Sequence, residues 1–240
     1  MKEIKAVLFD LDGTLLPMDE KVFTKAYFGQ LAGKLAPHGF DSNALIDAVW
    51  RGTAAMVRND GSRTNEEVFW EDFAPLCGDK LEESRALIDE FYTVDFQKCR
   101  EFCGFTPKAK ETVERLKKAG KTVALATNPI FPAVATLSRI RWAGLSPDDF
   151  VLITTYENIG FCKPNLDYYR EILRRLGLSA QDCLMVGNNT DEDMVAAQLG
   201  MEVFLLTDCM INQSGADISG YPHGDFDALQ TFLAERVKAF

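Results

Sequence analysis

The feature that most restricts the fold is an alternation in the second half of the chain. From Thr106 onward, short apolar runs take turns with helix-patterned segments. Val123–Ala126, Phe150–Ile153, Cys183–Val186 and Val203–Leu206 are apolar runs of strand length. The helical stretches between them run from Pro107 through Leu116, closed by Gly120; from Pro132 to Ala143, ended by Gly144; and from Leu166 to Leu176, ended by Gly177. Glu192 to Leu199, ended by Gly200, and Phe226 to Val237 complete the series. Strands that alternate with helices predict a parallel sheet covered on both faces.

One more apolar run, Ile4–Phe9, opens the chain and stops abruptly in charge and glycine, as a buried strand feeding a tight loop does. The texture between it and Thr106 is different. Val22, Ala26, Leu31 and Leu35 recur at roughly helical spacing before Pro37-His38-Gly39 breaks the pattern. Asp41 or Ser42 is placed to cap a helix through Leu45, Ile46, Val49 and Met56. Thr64-x-x-Glu67 is a capping-box signature, and Leu81 to Phe91 is a further helix candidate. The expected fold class is therefore α/β: a Rossmann-like parallel-sheet core with helices on both faces, formed by residues 1–16 and 106–240. An all-helical domain, 17–105, is inserted after the first strand.

Composition narrows the function. The 240 residues carry a formal net charge of −10, which argues against a nucleic-acid partner, since phosphate backbones reward clustered Lys and Arg. The two histidines, His38 and His223, rule out a His-rich metal centre and leave acid–base work to carboxylates or lysine. The six cysteines form no C-x-x-C pair, and their scatter fits a reducing compartment. No stretch approaches the roughly 18 apolar residues of a membrane span. The expected location is cytoplasmic, with no membrane partner.

Ligands of open parallel sheets bind beyond the carboxyl ends of the strands. Asp10-Leu11-Asp12-Gly13-Thr14 follows the first strand, Thr127-Asn128 follows Val123–Ala126, and Gly187-Asn188-Asn189-Thr190-Asp191-Glu192-Asp193 follows Cys183–Val186. Lys163-Pro164 lies beyond Phe150–Ile153 and opens a helix. Two carboxylates, a hydroxyl, a lysine and an amide- and acid-rich turn suit phosphoryl transfer. One carboxylate can attack phosphorus and a second can protonate the leaving oxygen. A divalent cation with oxygen ligands, together with a lysine, can offset the phosphoryl charge. Gly13 lets the loop turn sharply and presents backbone N–H groups to an anion.

These segments resemble the four ordered motifs of the haloacid dehalogenase superfamily, and specifically its phosphatase branch with a helical cap between the first and second motifs, of the phosphoglycolate-phosphatase type. The resemblance spans the whole chain. It implies that Asp10 is the nucleophile and a Mg²⁺ ligand, and that Asp12 is the general acid/base with its backbone carbonyl on the metal. It implies that Thr127 and Lys163 act on the phosphoryl group, with Leu11, Gly13, Thr14 and Asn128 around it, and that Asn188 and Asp193 complete the metal site. The family commonly has an acid directly after the motif glycine or one residue further. Asn188 and Asn189 stand there instead, which predicts weaker metal binding unless Asp191 contributes.

The implied activity is Mg²⁺-dependent hydrolysis of a small phosphorylated metabolite through an aspartyl-phosphate intermediate. A phosphomutase and a dehalogenase of the same fold are alternatives, although a dehalogenase needs no acid at Asp12. A non-catalytic binding protein with a decayed metal site is a third, supported only by Asn188-Asn189. In the insert, Trp50, Phe69, Trp70, Phe73, Phe91 and Tyr92 are expected in the core rather than against a ligand, and Arg51, Arg58 and Arg63 on the solvated surface. No role is readable for residues 207–225.

Overall fold

The computed structural model describes residues 3–240. Strands β1 (Ala6–Phe9), β2 (Thr122–Leu125), β3 (Cys183–Gly187), β4 (Glu202–Leu206) and β5 (His223–Gly224) form one sheet in the order β2-β1-β3-β4-β5. Every pairing is parallel, and Ala6 stands between Thr122 and Cys183. Side chains alternate between the two faces. Val7, Phe9, Leu125, Val186 and Leu206 join a core built with α5 (Pro107–Lys118) and α8 (Phe226–Arg236). Ala6, Leu8, Ala124, Met185 and Leu205 join a second core with Tyr168, Tyr169 and Ile172 of α7 (Leu166–Leu176). Both faces are thus covered, as the near-continuous apolar runs require.

Residues beyond the first strand supply the inserted helices. These are α1 (Glu20–Leu35), α2 (Ser42–Val57), α3 (Asn65–Cys77) and α4 (Leu81–Thr93), followed by a 3₁₀ stretch at Asp95–Phe102. Each of the first three starts on a side-chain cap: Asp19, Asp41 and Thr64, the last with a full capping box to Glu67. Asp41 rather than Ser42 is the cap of α2. The chain crosses between core and helical insert along two adjacent strands of backbone. Met18 bridges Cys103, and the Gly104 N–H donates to the Pro17 carbonyl at 2.7 Å.

A second junction lies at the start of α3. The Asn65 side chain is fully buried and donates to the Pro129 carbonyl at 3.2 Å, while its backbone N–H donates to the Ile159 carbonyl at 2.9 Å. Gly160 is needed there, because a Cβ would fall 2.2 Å from the Arg63 carbonyl oxygen.

The structure differs from the sequence expectations in three places. Phe150–Ile153 is not a regular strand: it follows a 3₁₀ turn at Pro147–Asp149 and makes a single bridge, Leu125 to Ile153. It still bonds the outer edge of β2, with Val151 N–H to the Val123 carbonyl at 2.9 Å, but Val151 itself is 67% exposed. An apolar run on an edge need not be a buried one. The helix expected at Glu192–Leu199 is a 3₁₀ segment, Met194–Leu199, since the Asn189 side chain and carbonyl hold residues 191–193 in a tight turn. Finally, β5 has no counterpart in the sequence pattern, being two residues without periodicity.

All six cysteines are free thiols. Among the described residues, no helix is long and apolar enough to cross a membrane.

Candidate active site

The chain leaves β1, travels through the insert to β2 on one side, and later returns to β3 on the other. Loops on the two sides of β1 diverge at this switch point, and a crevice opens at the strands' carboxyl ends. The four sequence segments meet there. Asp10 directly follows β1, and its N–H donates to the Val186 carbonyl at 2.9 Å, so the sheet itself fixes its position. Lys163 is buried, with Nζ 2.8 Å from Asp10 Oδ1 and 2.6 Å from Asp193 Oδ1. Burial alone would lower the pKa of this ammonium, but the Asp10 and Asp193 charges outweigh it and hold the pKa well above the usual lysine value. Lys163 is therefore a fixed positive charge between two carboxylates.

Thr14 donates toward Asp10 Oδ2 (3.3 Å) and toward Asn188 Oδ1 (3.1 Å). The Asn188 amide is oriented by the 2.7 Å bond from its Nδ2 to the Cys209 carbonyl. That contact explains an amide where an acid is commoner, since a carboxylate oxygen would face the carbonyl oxygen without a proton between them. Gly13 has φ +77°, and a Cβ would meet Asn188 Nδ2 at 2.2 Å. Gly187 is equally constrained: its Cβ would lie 2.1 Å from Asp193 Oδ2, the oxygen that accepts the Asn189 N–H at 3.0 Å.

One carboxylate oxygen of Asp10 and the Asn188 amide oxygen therefore converge on a single hydroxyl. This is an oxygen-donor set that suits a hard divalent cation, with less negative charge than two carboxylates would give. Asp193 is turned to Lys163. Asp191 does not join: it is exposed, and Ser214 donates to it at 2.6 Å.

Nothing in the sequence pattern marks Arg139, on α6 (Ala133–Trp142). It is 1% exposed, lies over the Phe131 ring and forms a close ion pair with Asp12 Oδ2. The other oxygen, Asp12 Oδ1, is buried without a hydrogen-bond partner. Burial first, and the Asp10 charge, push the Asp12 carboxyl up to about 6 against the pull of Arg139. A buried arginine on a helix reads in sequence as a surface residue, so only its burial could have flagged it. Glu192 is likewise unmarked in the sequence as a site residue. Burial pushes its carboxyl up to about 7, and Asn128 donates to it at 3.1 Å. Asn128 in turn accepts the Lys163 N–H at 3.2 Å, tying the second and third segments together.

A cavity of about 200 Å³ opens over these groups. Asp10, Asp12, Gly13, Thr127, Asn128 and Asn188 line its floor, and the inserted helices form its roof. Leu11, Thr14 and Lys163 stand behind the floor; the Leu11 carbonyl accepts the N–H groups of Thr14 and Leu16 and so closes the loop. The aromatic residues expected only in a core prove to have a second face. Trp50, Phe69, Trp70, Phe73 and Tyr92 line the cavity, whereas Phe91 is wholly internal. Residues 207–225 acquire a structural role: Ile211 exchanges backbone bonds with Asn188 and Thr190, and the Cys209 carbonyl orients Asn188.

Two carboxyls two residues apart, a buried lysine and a glycine loop meet at the switch point, a donor set with the chemistry to handle an anionic group. A family model for haloacid dehalogenase-like hydrolases matches residues 4–200. The chain belongs to the haloacid dehalogenase-like hydrolases. It is 29% identical to a ribulose-1,5-bisphosphate 5-phosphatase of Halopiger xanaduensis over 83% of each chain. It is 27% identical to a phosphoglycolate phosphatase of Vibrio vulnificus, over 93% of this chain and 88% of that one. Among solved structures, a 2-haloacid dehalogenase from Pseudomonas syringae superposes with a TM-score of 0.63 at 24% identity, over 97% of this chain and 99% of that one. It shares the fold: a parallel sheet carrying an inserted helical cap.

Proposed function

We propose that this hydrolase is a cytoplasmic, Mg²⁺-dependent phosphatase acting on a small phosphomonoester, with residues 17–105 as its cap and residues 1–16 and 106–240 as its catalytic core. The observation that carries the reading is the Asp10 carboxylate, held between Lys163 and Thr14 at the cavity floor, with the unpartnered Asp12 Oδ1 beside it. The phosphatases named among the relatives support the reaction class.

In this reading the Asp10 carboxylate attacks phosphorus, the phosphorus–oxygen bond of the ester breaks, and Asp12 gives its proton to the departing alkoxide. A carboxyl raised to about 6 holds that proton far better than an ordinary aspartate. Asp12, now ionised, takes a proton from water as the water attacks the aspartyl phosphate. Phosphate leaves and Asp10 is regenerated. Lys163 holds Asp10 in place and offsets charge on the phosphoryl oxygens, and Thr127 and Asn128 hold those oxygens from the β2 side. Asp10, the Asp12 carbonyl and Asn188 are the residues that would hold Mg²⁺, with Asp193 acting through Lys163. The ion, when bound, would polarise the phosphoryl oxygens. The cap roof excludes bulk water from the intermediate.

Phosphate release from a panel of phosphorylated metabolites, with Mg²⁺ or with a chelator, tests this. Activity should require the ion and vanish in Asp10→Asn. Equal activity of wild type and Asp10→Asn would sink the mechanism.

A further inference from the structure

Building on the phosphatase reading, we infer that the substrate is a monophosphate ester of an uncharged, apolar and ring-bearing alcohol, not a phosphate with a second anionic group.

The cavity walls carry the argument. Above the carboxylate floor the lining comes from Phe23, Phe28, Trp50, Phe69, Trp70 and Tyr92, together with aliphatic Leu31, Val49 and Ile88. Flat rings favour stacking on another ring. The polar atoms of the wall are largely satisfied within it: the Tyr27 and Tyr92 hydroxyls bond each other at 2.8 Å, and the Thr53 hydroxyl donates to the Val49 carbonyl at 2.9 Å. A cavity of about 150 Å³ already admits benzene, and this one, floor included, is about 200 Å³, which limits the alcohol to a single ring.

Charge points the same way. Among the described residues, no lysine, arginine or histidine lines the cavity, while Glu20 and Glu192 do. None of the nearby cations lines the cavity, and all but Arg85, whose buried Nε has no hydrogen-bond partner, are held in ion pairs. Lys163 is bonded to Asp10 and Asp193, and Arg139 pairs with Asp12 and lies over Phe131. Arg85 stacks over Trp70 with its guanidinium carbon 4.2 Å from the ring centroid. Arg51 and Arg63 pair with Asp72 and Glu71 on the surface. A carboxylate or second phosphate on the leaving group would enter a lining with two acidic side chains and no basic one, and a buried charge without a partner disfavours binding.

Benzyl phosphate and phosphoglycolate separate the possibilities, because both are alkyl monoesters and differ in the group beyond the ester carbon. Wild type should show kcat/KM for benzyl phosphate about 100-fold above that for phosphoglycolate. Trp50→Lys, at a position 52% exposed at the cavity edge, should narrow that ratio at least about 10-fold. Binding to the Asp10→Asn protein, followed by tryptophan fluorescence, supplies a reading that needs no turnover: benzyl phosphate should bind at least about 10-fold tighter. Phosphoglycolate bound or hydrolysed as well as benzyl phosphate would overturn the substrate class and leave the phosphatase reading standing. Tighter binding of benzyl phosphate with no turnover of any phosphate would overturn the phosphatase reading instead.

Discussion

Single contacts decide the chemistry of this site. In the proposed mechanism Asp12 must be protonated to serve the leaving group, and burial pushes its carboxyl up to about 6, so kcat/KM should fall as pH rises past about 6. Arg139 pulls that value down. Arg139→Gln should therefore move the alkaline limb of the kcat/KM profile to higher pH while reducing kcat by at least about 10-fold, since Asp12 loses the group that aims it. A limb that stays in place would separate Arg139 from the proton transfer. The amide at position 188 makes a second test. Asn188→Asp sets a carboxylate against the Cys209 carbonyl, now 2.7 Å from Nδ2. Loss of that buried bond should cost about 2 kcal/mol, or about 5 °C in Tm for a chain of this length, measured with a chelator present. An unchanged Tm would mean that the Cys209 contact does not explain the amide.

At the scale of elements, α7 shows how local charge supports the third segment. Its first residues follow Lys163, and its last turn carries Arg174 and Arg175 against Glu171. The hydrogen bond from Arg174 first, joined by that from Arg175 and the charge of both, holds the Glu171 carboxyl at about 2 against the opposing effect of burial. A depressed acid contributes stability that is whole above its ordinary value of 4.5 and is lost as pH falls toward about 2. Because the pair is solvent-facing, the contribution at neutral pH is about 1 kcal/mol. Glu171→Gln should lower the melting temperature at neutral pH by about 3 °C, and the gap to wild type should close between about pH 5 and about pH 2. A constant gap would show that the glutamate acts through packing rather than charge.

For the molecule as a whole, the question is how cap and core hold one cavity between them. They join at the Pro17–Met18 and Cys103–Gly104 crossing and again at Asn65, whose side chain reaches the Pro129 carbonyl and the Cys162 sulfur next to Lys163. Asn65→Leu strands those buried groups and should cost about 2 kcal/mol. Hydrogen exchange should rise together in residues 59–66 and 156–162, which face each other across the junction. Faster exchange on one side alone would mean that the two segments do not open as a unit.

Sequence alone was enough for the α/β alternation, the inserted helices with their caps, and the convergence of Asp10, Asp12, Thr127 and Lys163 on one crevice. Each of these is written in local pattern: apolar runs of strand length, capping residues, and motifs placed after strands. It did not determine the irregularity of Phe150–Ile153, since an apolar run carries no mark of whether it lies inside a sheet or on its edge. Nor did it reveal β5, whose two residues are too few to show a period. The Arg139–Asp12 pair spans 127 positions, and the Asn188–Cys209 bond depends on a loop with no readable pattern. The aromatic residues of the insert were legible as apolar but not as cavity walls. Apolarity fixes only that a side chain leaves water; which side chains face a ligand space and which face one another is settled when the cap folds over the core.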